Sequence, residues 1–448
     1  MLVVTLDTVG ERMAGPAIRA WEMARALSRT CDVLLATFGG CSRDGEGFAT
    51  RAIRPAQFRD AVEVADVIVL QGYVMAAFPW LRRSDKVVVV DLYDPFHLES
   101  LEVARHETPG ARRLALRTAL TELNEQVRRG DVFLCASEKQ RDFWLGHLAA
   151  VGRLNPETYE ADATMRDLVK IVPFGLGAAP PEPGPDPFRG RVPGIEPGDP
   201  VVLWGGGVYN WFDPLTLVRA VDRVRERVPN VRLYFLGMRH PNPDVPEMAM
   251  ANACRELAGS LGLIGTHVFF NTDWVPYETR ADYLDAADVG VSCHLPQVET
   301  QYSFRTRILD YLWAGLPIVC TDGDTFGDLV QAEGLGVAVP AQDVEALARA
   351  LCDLILDRDR REAAAARSRA VAQRYTWDRA LAPLVEFCES PRRASDAGAD
   401  YGTPVTGLRG AADAVRAVAT GAVRHWREGG PRQLGRRVAW RARQLTSR

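Results

Sequence analysis

The stretch ETQYSFRTRILDYLWAGLPIVCTDGD, residues 299–324, gathers side chains that handle a charged, hydroxylated ligand. Glu299 opens it, Arg305 and Arg307 follow two apart, and Asp310 stands one helical turn beyond. The run into Gly315-Leu316-Pro317 and β-branched Ile318-Val319 predicts a helix feeding a buried strand, with both arginines at or just before its first turn. A guanidinium fork suits phosphate oxygens, and a helix start adds unpaired N–H groups. A carboxylate, two guanidiniums and a helix start in one place are what a sugar nucleotide would require. Two helical residues at 305 and 307 would point about 200° apart. One of them therefore belongs to the loop, or only one meets the ligand. The plainer alternative for Arg307 is an i, i+3 pair with Asp310, stabilising by roughly 0.2–0.5 kcal/mol.

Two further strand–loop–helix junctions carry glycines where phosphate is held in α/β folds. One is TLDTVGERMAGPAIRAWEMARALS, with Gly10 and Gly15; the other is VVLWGGGVYNWFDPLTLVRAV, with Gly205, Gly206 and Gly207. The glycines of the second are followed by Tyr209, Asn210, Trp211 and Phe212, whose rings either pack on a sugar face or plug the cleft wall. A third strand end, VVVVDLYDPFHLE, presents Asp91, Asp94 and His97. His97 has no companion at metal-ligand spacing, so no metal site is read there; a histidine in such a place is ordinarily a structural hydrogen-bonder.

The elements that must position these residues alternate along most of the chain. Apolar runs (MLVVTL, CDVLLATF, ADVIVLQ, KVVVVDLYD, DVFLCAS, VKIVPFG) are separated by amphipathic helices over 17–28 and about 110–129. Strands apolar throughout, joined by helices, imply a parallel sheet covered on both faces. Residues 178–199, rich in Pro and Gly, break the rhythm as a connector. It restarts with PVVLWGGG, helices near 213–226 and 246–260, strands VRLYFLG, HVFFN, DVGVSCH and LPIVCTD, and a last helical stretch over 343–388. The fold class is α/β. Two Rossmann-like, doubly wound domains over 1–177 and 200–372 face each other across a cleft, with a returning helix over 373–390. A basic extension, 391–448, has two helical-period stretches with Trp426 and Trp440 among arginines.

At 448 residues the chain suits two or three domains. The net charge of −4 divides into about +8 from residue 392 onward, 12 arginines against 4 acidic residues, and about −12 elsewhere. An acidic body argues against a nucleic-acid groove across the main fold, while the extension suits an anionic membrane surface or a helix packed on the body. Eight scattered cysteines without a C-x-x-C pair read as free thiols of a reducing compartment. No apolar run reaches the roughly 20 residues of a membrane span, and no signal peptide is recognised. The expected location is cytoplasmic, peripheral at the inner face of a membrane if the extension binds there.

The order of GERMAGPAIRAWEMARAL, CASEKQRDFW, IVPFG, WGGG…DPLTLVRAV, WVPYETRADYLDAADVGVSCH, LDYLWAGLPIV and RYTWDRALAPLVEF resembles the GT-B glycosyltransferases, specifically the large retaining family 4, over about residues 1–390. The resemblance implies a nucleotide sugar (UDP, GDP or dTDP type) in the second domain and an acceptor entering from the first: a glycan, a lipid-linked intermediate or a small molecule. It implies no cofactor and no metal. Asp310 stands where the family keeps the second Glu of its E-x7-E pair, on the donor ribose. Strict spacing puts the first at Tyr302, so Glu299, in a longer loop, takes that part at the donor sugar. Asp91 falls where the family has a His facing the reacting sugar, with Asp94 and His97 nearby. The family's Arg and Lys on the diphosphate are replaced by Gly207 and Phe212. Arg305 or Arg307, with Gly15, Gly206 and Gly207, is expected to take over the diphosphate, where departure of the leaving group builds negative charge; Lys139 and Arg239 are weaker candidates. The implied reaction moves a hexose or deoxyhexose to an acceptor hydroxyl, in envelope polysaccharide or glycoconjugate synthesis. The alternatives are a catalytically silent subunit that binds nucleotide sugar, and a sugar-nucleotide epimerase.

Overall fold

A computed structural model describes residues 1–182, 184–240, 248–399 and 401. Contacts divide the chain into Met1–Gly398 and Ala399–Arg448. Apart from Ala399 and Tyr401, the second unit lies outside the described residues, and with it both helical-period stretches of the basic extension. Among the described residues no helix is long and apolar enough to cross a membrane.

The first unit holds two wholly parallel sheets. One contains β1 (Leu2–Thr5), β2 (Leu34–Thr37), β3 (Ala49–Ala52), β4 (Val67–Gln71), β5 (Val87–Asp91), β6 (Val132–Cys135) and β7 (Val169–Ile171), in the order β3-β2-β1-β4-β5-β6-β7. The other contains β8 (Val201–Trp204), β9 (Arg232–Phe235), β10 (Val268–Phe270), β11 (Val289–Ser292), β12 (Ile318–Thr321) and β13 (Gly336–Val339), in the order β10-β9-β8-β11-β12-β13. Central strands such as β4 and β8 are buried at every position, because helices cover both faces. In each sheet the winding reverses beside the first strand, between β1 and β4 and between β8 and β11. Loops leaving neighbours at such a point diverge and open a crevice at the carboxyl ends. The glycine loops after β1 and β8 and the segment after β11 all start there.

Several boundaries depart from the sequence pattern for identifiable reasons. The edge strand β3 has no apolar run to betray it, being exposed at three of four positions. Strand β13 is also unforeseen; it lies against β12, so close that a Cβ on Gly336 would meet the Ile318 carbonyl. The single helical stretch over 343–388 is three helices, Val344–Leu356, Arg358–Ala372 and Trp377–Glu389. Asp357 leaves the helical region (φ −95°, ψ 96°) and its side chain caps the next helix at Arg360 N–H. Thr376 (φ −59°, ψ 146°) makes the second break.

Among the described residues, 178–199 form no helix or strand, yet the connector is fastened to the second sheet. Arg189 donates to Asp288 at 2.6 Å, and Phe188, fully buried, meets Tyr234 edge-on. The helix Trp377–Glu389 returns to the first domain, Trp377 lying 4.8 Å from Phe174. Residues 391–396, the start of the extension, are not helical. They strap onto the first domain through Arg393–Asp131 at 2.9 Å and a two-bond pair between Arg153 and Asp396.

Candidate active site

A cavity of about 420 Å³ opens between the two sheets, lined by residues from the loops after β1, β5, β8 and β11. Its walls are held together by polar contacts. Trp274 Nε1 donates to the Met13 carbonyl at 3.1 Å, Tyr277 N–H to that of Glu11 at 2.9 Å, and Asn210 Nδ2 to that of Glu102 at 3.2 Å. Gln140, which nothing in the sequence marked, donates to the Tyr93 carbonyl at 2.6 Å and the Tyr302 carbonyl at 2.8 Å. It thereby ties the segment after β5 to the segment before Arg305.

On the second-domain wall, Gly206 adopts φ +106°, a backbone open to glycine and strained for other residues. Gly205 N–H donates to the Tyr311 hydroxyl at 2.8 Å. That hydroxyl also lies 3.0 Å from the Leu203 carbonyl and 2.8 Å from that of Val291. One phenol thus pins the helix Thr306–Ala314 under β8, β11 and the glycine loop. Tyr311 was not foreseen either; its place one turn beyond Arg307 was the available signal.

Arg305 is the non-helical residue before that helix (φ −74°, ψ 85°) and Arg307 lies in its first turn. The loop conformation at 305 cancels the helical divergence, and both guanidiniums lie over the Phe212 ring, at 4.8 and 4.1 Å. Their partners differ. Arg305 is paired with Glu299 through two hydrogen bonds, 3.0 and 2.7 Å, and only its Nε lacks a partner. Arg307 donates once, from Nη2 to the Gly207 carbonyl at 2.8 Å, and Nη1 has no partner. Arg307 is 7% exposed and lines the cavity. Burial lowers its pKa to about 10, which leaves it charged at neutral pH. Its i, i+3 pair with Asp310 does not form: Asp310, also on the cavity wall, meets Arg280 at 3.3 Å. Lys139 is spent in an exposed pair with Asp328.

The remaining sequence candidates divide. Gly15, Gly206, Gly207, Tyr209, Trp211 and Asp94 line the cavity. Tyr209 and Trp211 are stacked, 4.9 Å apart and 3° from parallel. Asn210 is buried in the bridge between the domains, accepting from Met250 N–H at 3.1 Å. The Glu299 carboxylate faces Arg305 and is 1% exposed. Asp91 is buried and is not among the residues lining the cavity; it holds Arg19 through bonds of 2.7 and 2.9 Å. Arg19 in turn donates to the Val172 and Pro173 carbonyls. His97 is packed among Phe143, Trp144 and His147; burial and the neighbouring His147 lower its pKa to about 4, so it is neutral. A further cavity carboxylate, Glu99, escaped the sequence reading. Burial raises its pKa well above the usual range, and Asp94 raises it further. Asp94 is likewise pushed up, to about 7, by burial against the help of Tyr93.

Residues 199–357 match the model of the family described as Glycosyl transferases group 1. Among curated proteins, a D-inositol 3-phosphate glycosyltransferase of Nocardia farcinica is 26% identical over 249 residues, 55% of this chain and 52% of that one. A phosphatidyl-myo-inositol mannosyltransferase of Mycolicibacterium smegmatis is 26% identical over 174 residues, 39% of this chain and 40% of that one. The chain thus spans about half the length, or less, of the curated relatives it matches. Two solved structures share the fold over most of their length. Sucrose-phosphate synthase of Thermosynechococcus elongatus gives a TM-score of 0.62 at 16% identity, over 87% of this chain and 98% of that one. HepE of Anabaena, solved with UDP and glucose, gives 0.61 at 15% identity, over 87% and 99%. By its two sheets and these likenesses, the chain has the GT-B fold, and residues 199–357 of its second domain are similar to the group 1 glycosyl transferases.

Proposed function

We propose that this protein transfers a glycosyl group from a nucleoside diphosphate sugar to an acceptor hydroxyl, with the diphosphate seated on Arg307 and the Gly205–Gly207 loop. One observation carries the reading: a buried, charged guanidinium lines the cavity with an unpartnered Nη1 and no carboxylate partner among the described residues. An uncompensated buried charge costs several kcal/mol, roughly, and a ligand anion removes that cost. Arg305, already neutralised by Glu299, offers its Nε–H as a second donor. Asp310, beside Arg280, takes the donor ribose hydroxyls. Glu299 and Asp91 act as positioning residues, one aiming Arg305 and the other holding Arg19.

In the transfer with retention that the family resemblance implies, the acceptor oxygen bonds the anomeric carbon on the face from which the diphosphate leaves. The bond from that carbon to the phosphate oxygen breaks with its electron pair passing to the diphosphate. A diphosphate oxygen takes the acceptor proton. The guanidiniums then stabilise charge where it develops. The names of the curated relatives, both sugar transferases, support the reaction class, and the UDP bound to HepE supports the donor class.

A thermal-shift panel of UDP, GDP, dTDP and ADP tests the donor site. A nucleotide at 100 times its Kd adds about 2.7 kcal/mol. One of the four is expected to stabilise the wild type and to lose that effect in Arg307→Ala. Absence of any shift in the wild type would sink the donor reading.

A further inference from the structure

We propose that the acceptor of this cleft carries a protonated amine, seated between Asp94 and Glu99 on the first-domain wall. The proposal rests on the transferase reading above and names its acceptor class. The cationic groups lining the cavity all come from one domain, whose one carboxylate there, Asp310, is paired with Arg280. Arg280, Arg305, Arg307 and His240 all come from the second domain, whereas the charged residues the first contributes are Asp7, Asp94 and Glu99. Among the described residues the first domain places no Lys, Arg or His on its wall.

The cations nearest these carboxylates are already committed. Arg19 is held by Asp91 through two bonds, and Arg305 by Glu299 through two bonds. Neither Asp94 nor Glu99 forms an ion pair with a described residue. Asp94 receives only the hydroxyl of Tyr93. The charged groups that bear on the two are Asp91, Arg19 and Glu299 around Asp94, and Asp94, Glu299 and Arg305 around Glu99. Two carboxylates that line the same cavity are thus left without an ion-pair partner among the described residues.

The second observation is the buried, unpartnered Nη1 of Arg307 on the opposite wall. It fixes where the ligand's anion goes, and so leaves the first-domain wall to the acceptor. Tyr209 lies within the field of both groups: burial raises its pKa most, Asp7, Glu99 and Asp94 raise it further, and Arg307 lowers it. An ammonium has three donors and offsets the repulsion between two carboxylates, whereas a phosphate monoester on that wall would meet both carboxylates and no first-domain cation. The upward shifts at Asp94 and Glu99 agree with a pocket lacking its cation. The chemistry therefore selects an amino sugar or aminocyclitol and rejects a phosphorylated acceptor.

The test uses full-length protein loaded with the nucleotide that passes the thermal-shift panel. Glucosamine, N-acetylglucosamine, glucose and glucose 6-phosphate are titrated into it by calorimetry. Glucosamine is expected to bind at least about tenfold more tightly than the other three, the size of a charge-assisted hydrogen bond. The variant Asp94→Asn/Glu99→Gln is expected to lose that preference while keeping the nucleotide-induced shift. N-acetylglucosamine, the same ring with its charge removed, keeps the question answerable if the variant misfolds. Equal or tighter binding of glucose or glucose 6-phosphate, no binding of glucosamine, or a preference that survives in the folded variant would each overturn the proposal. Because the nucleotide shift is recorded on the same sample, loss of the donor site is separately visible.

Discussion

The two walls of the cleft are built alike and charged oppositely. Each follows the first strand of a parallel sheet with a glycine-bearing loop and a helix, and each lies beside a reversal of winding. Yet the second-domain wall holds a guanidinium, Arg307, with no carboxylate partner among the described residues, and the first-domain wall two carboxylates, Asp94 and Glu99, with no ion pair to a described residue. The difference teaches that the doubly wound fold supplies a place for a ligand and says nothing of its charge. Charge is set by which side chains remain unneutralised once the internal pairs, Arg19–Asp91 and Arg305–Glu299, are subtracted.

The comparison is broken most severely by undoing a subtracted pair. Glu299→Gln leaves Arg305 buried and unpaired, and should destabilise the protein by about 3–5 kcal/mol in urea titration. A loss below about 1 kcal/mol would mean that the pair is solvated in solution. Removing the unpaired member has a different signature. Arg307→Ala should leave stability little changed, or raise it by removing a buried charge, while lowering kcat by about 10²–10³, the scale of one charge-stabilising donor. Equal stability losses in the two variants would contradict the distinction between a paired and an unpaired arginine.

Tyr311→Phe sharpens the picture from beneath, since it takes the acceptor from Gly205 N–H without altering either wall's charge. About 1–3 kcal/mol of stability should go, with nucleotide affinity falling because the glycine loop loses its anchor. On the opposite wall the readout is pH. The folded pKa of Asp94, about 7, lies above the unfolded value of about 3.9. Its protonated form therefore supports the fold at low pH, and that support is lost as pH rises from about 4 through 7. In Asp94→Asn this downward slope should flatten, and the variant should be the more stable of the two at pH 8. The smallest effect is expected at Lys139→Ala, which breaks an exposed cross-domain pair with Asp328 and should cost under about 1 kcal/mol.

Much of this was legible in the sequence because it is local. Unbroken apolar runs announce buried parallel strands, and Gly315, in the left-handed conformation, ends the arginine helix before β12. The same boundary allowed that one of Arg305 and Arg307 belongs to the loop; the structure puts Arg305 there and Arg307 in the first turn. Edge strand β3 did not show, since a strand with one neighbour need not be apolar; β13, Gly336–Val339, is apolar but only four residues long and opens on a glycine. The break at Asp357 was hidden because a capping turn costs only one residue.

What tertiary structure alone decided is partnership. Asp91 and Asp94 stand three residues apart at one strand end, yet one is bound by Arg19 from a helix 72 residues earlier and the other faces the cavity. Arg305 and Arg307 are two apart, yet the first is claimed by Glu299 and the second keeps an unpartnered Nη1. Sequence sets the kind of charge and the element that carries it, because side-chain chemistry and helix and strand periods are short-range. Whether a charge is spent or available depends on residues brought together by packing, and electrostatic energy in a buried site is decided by that nearest partner.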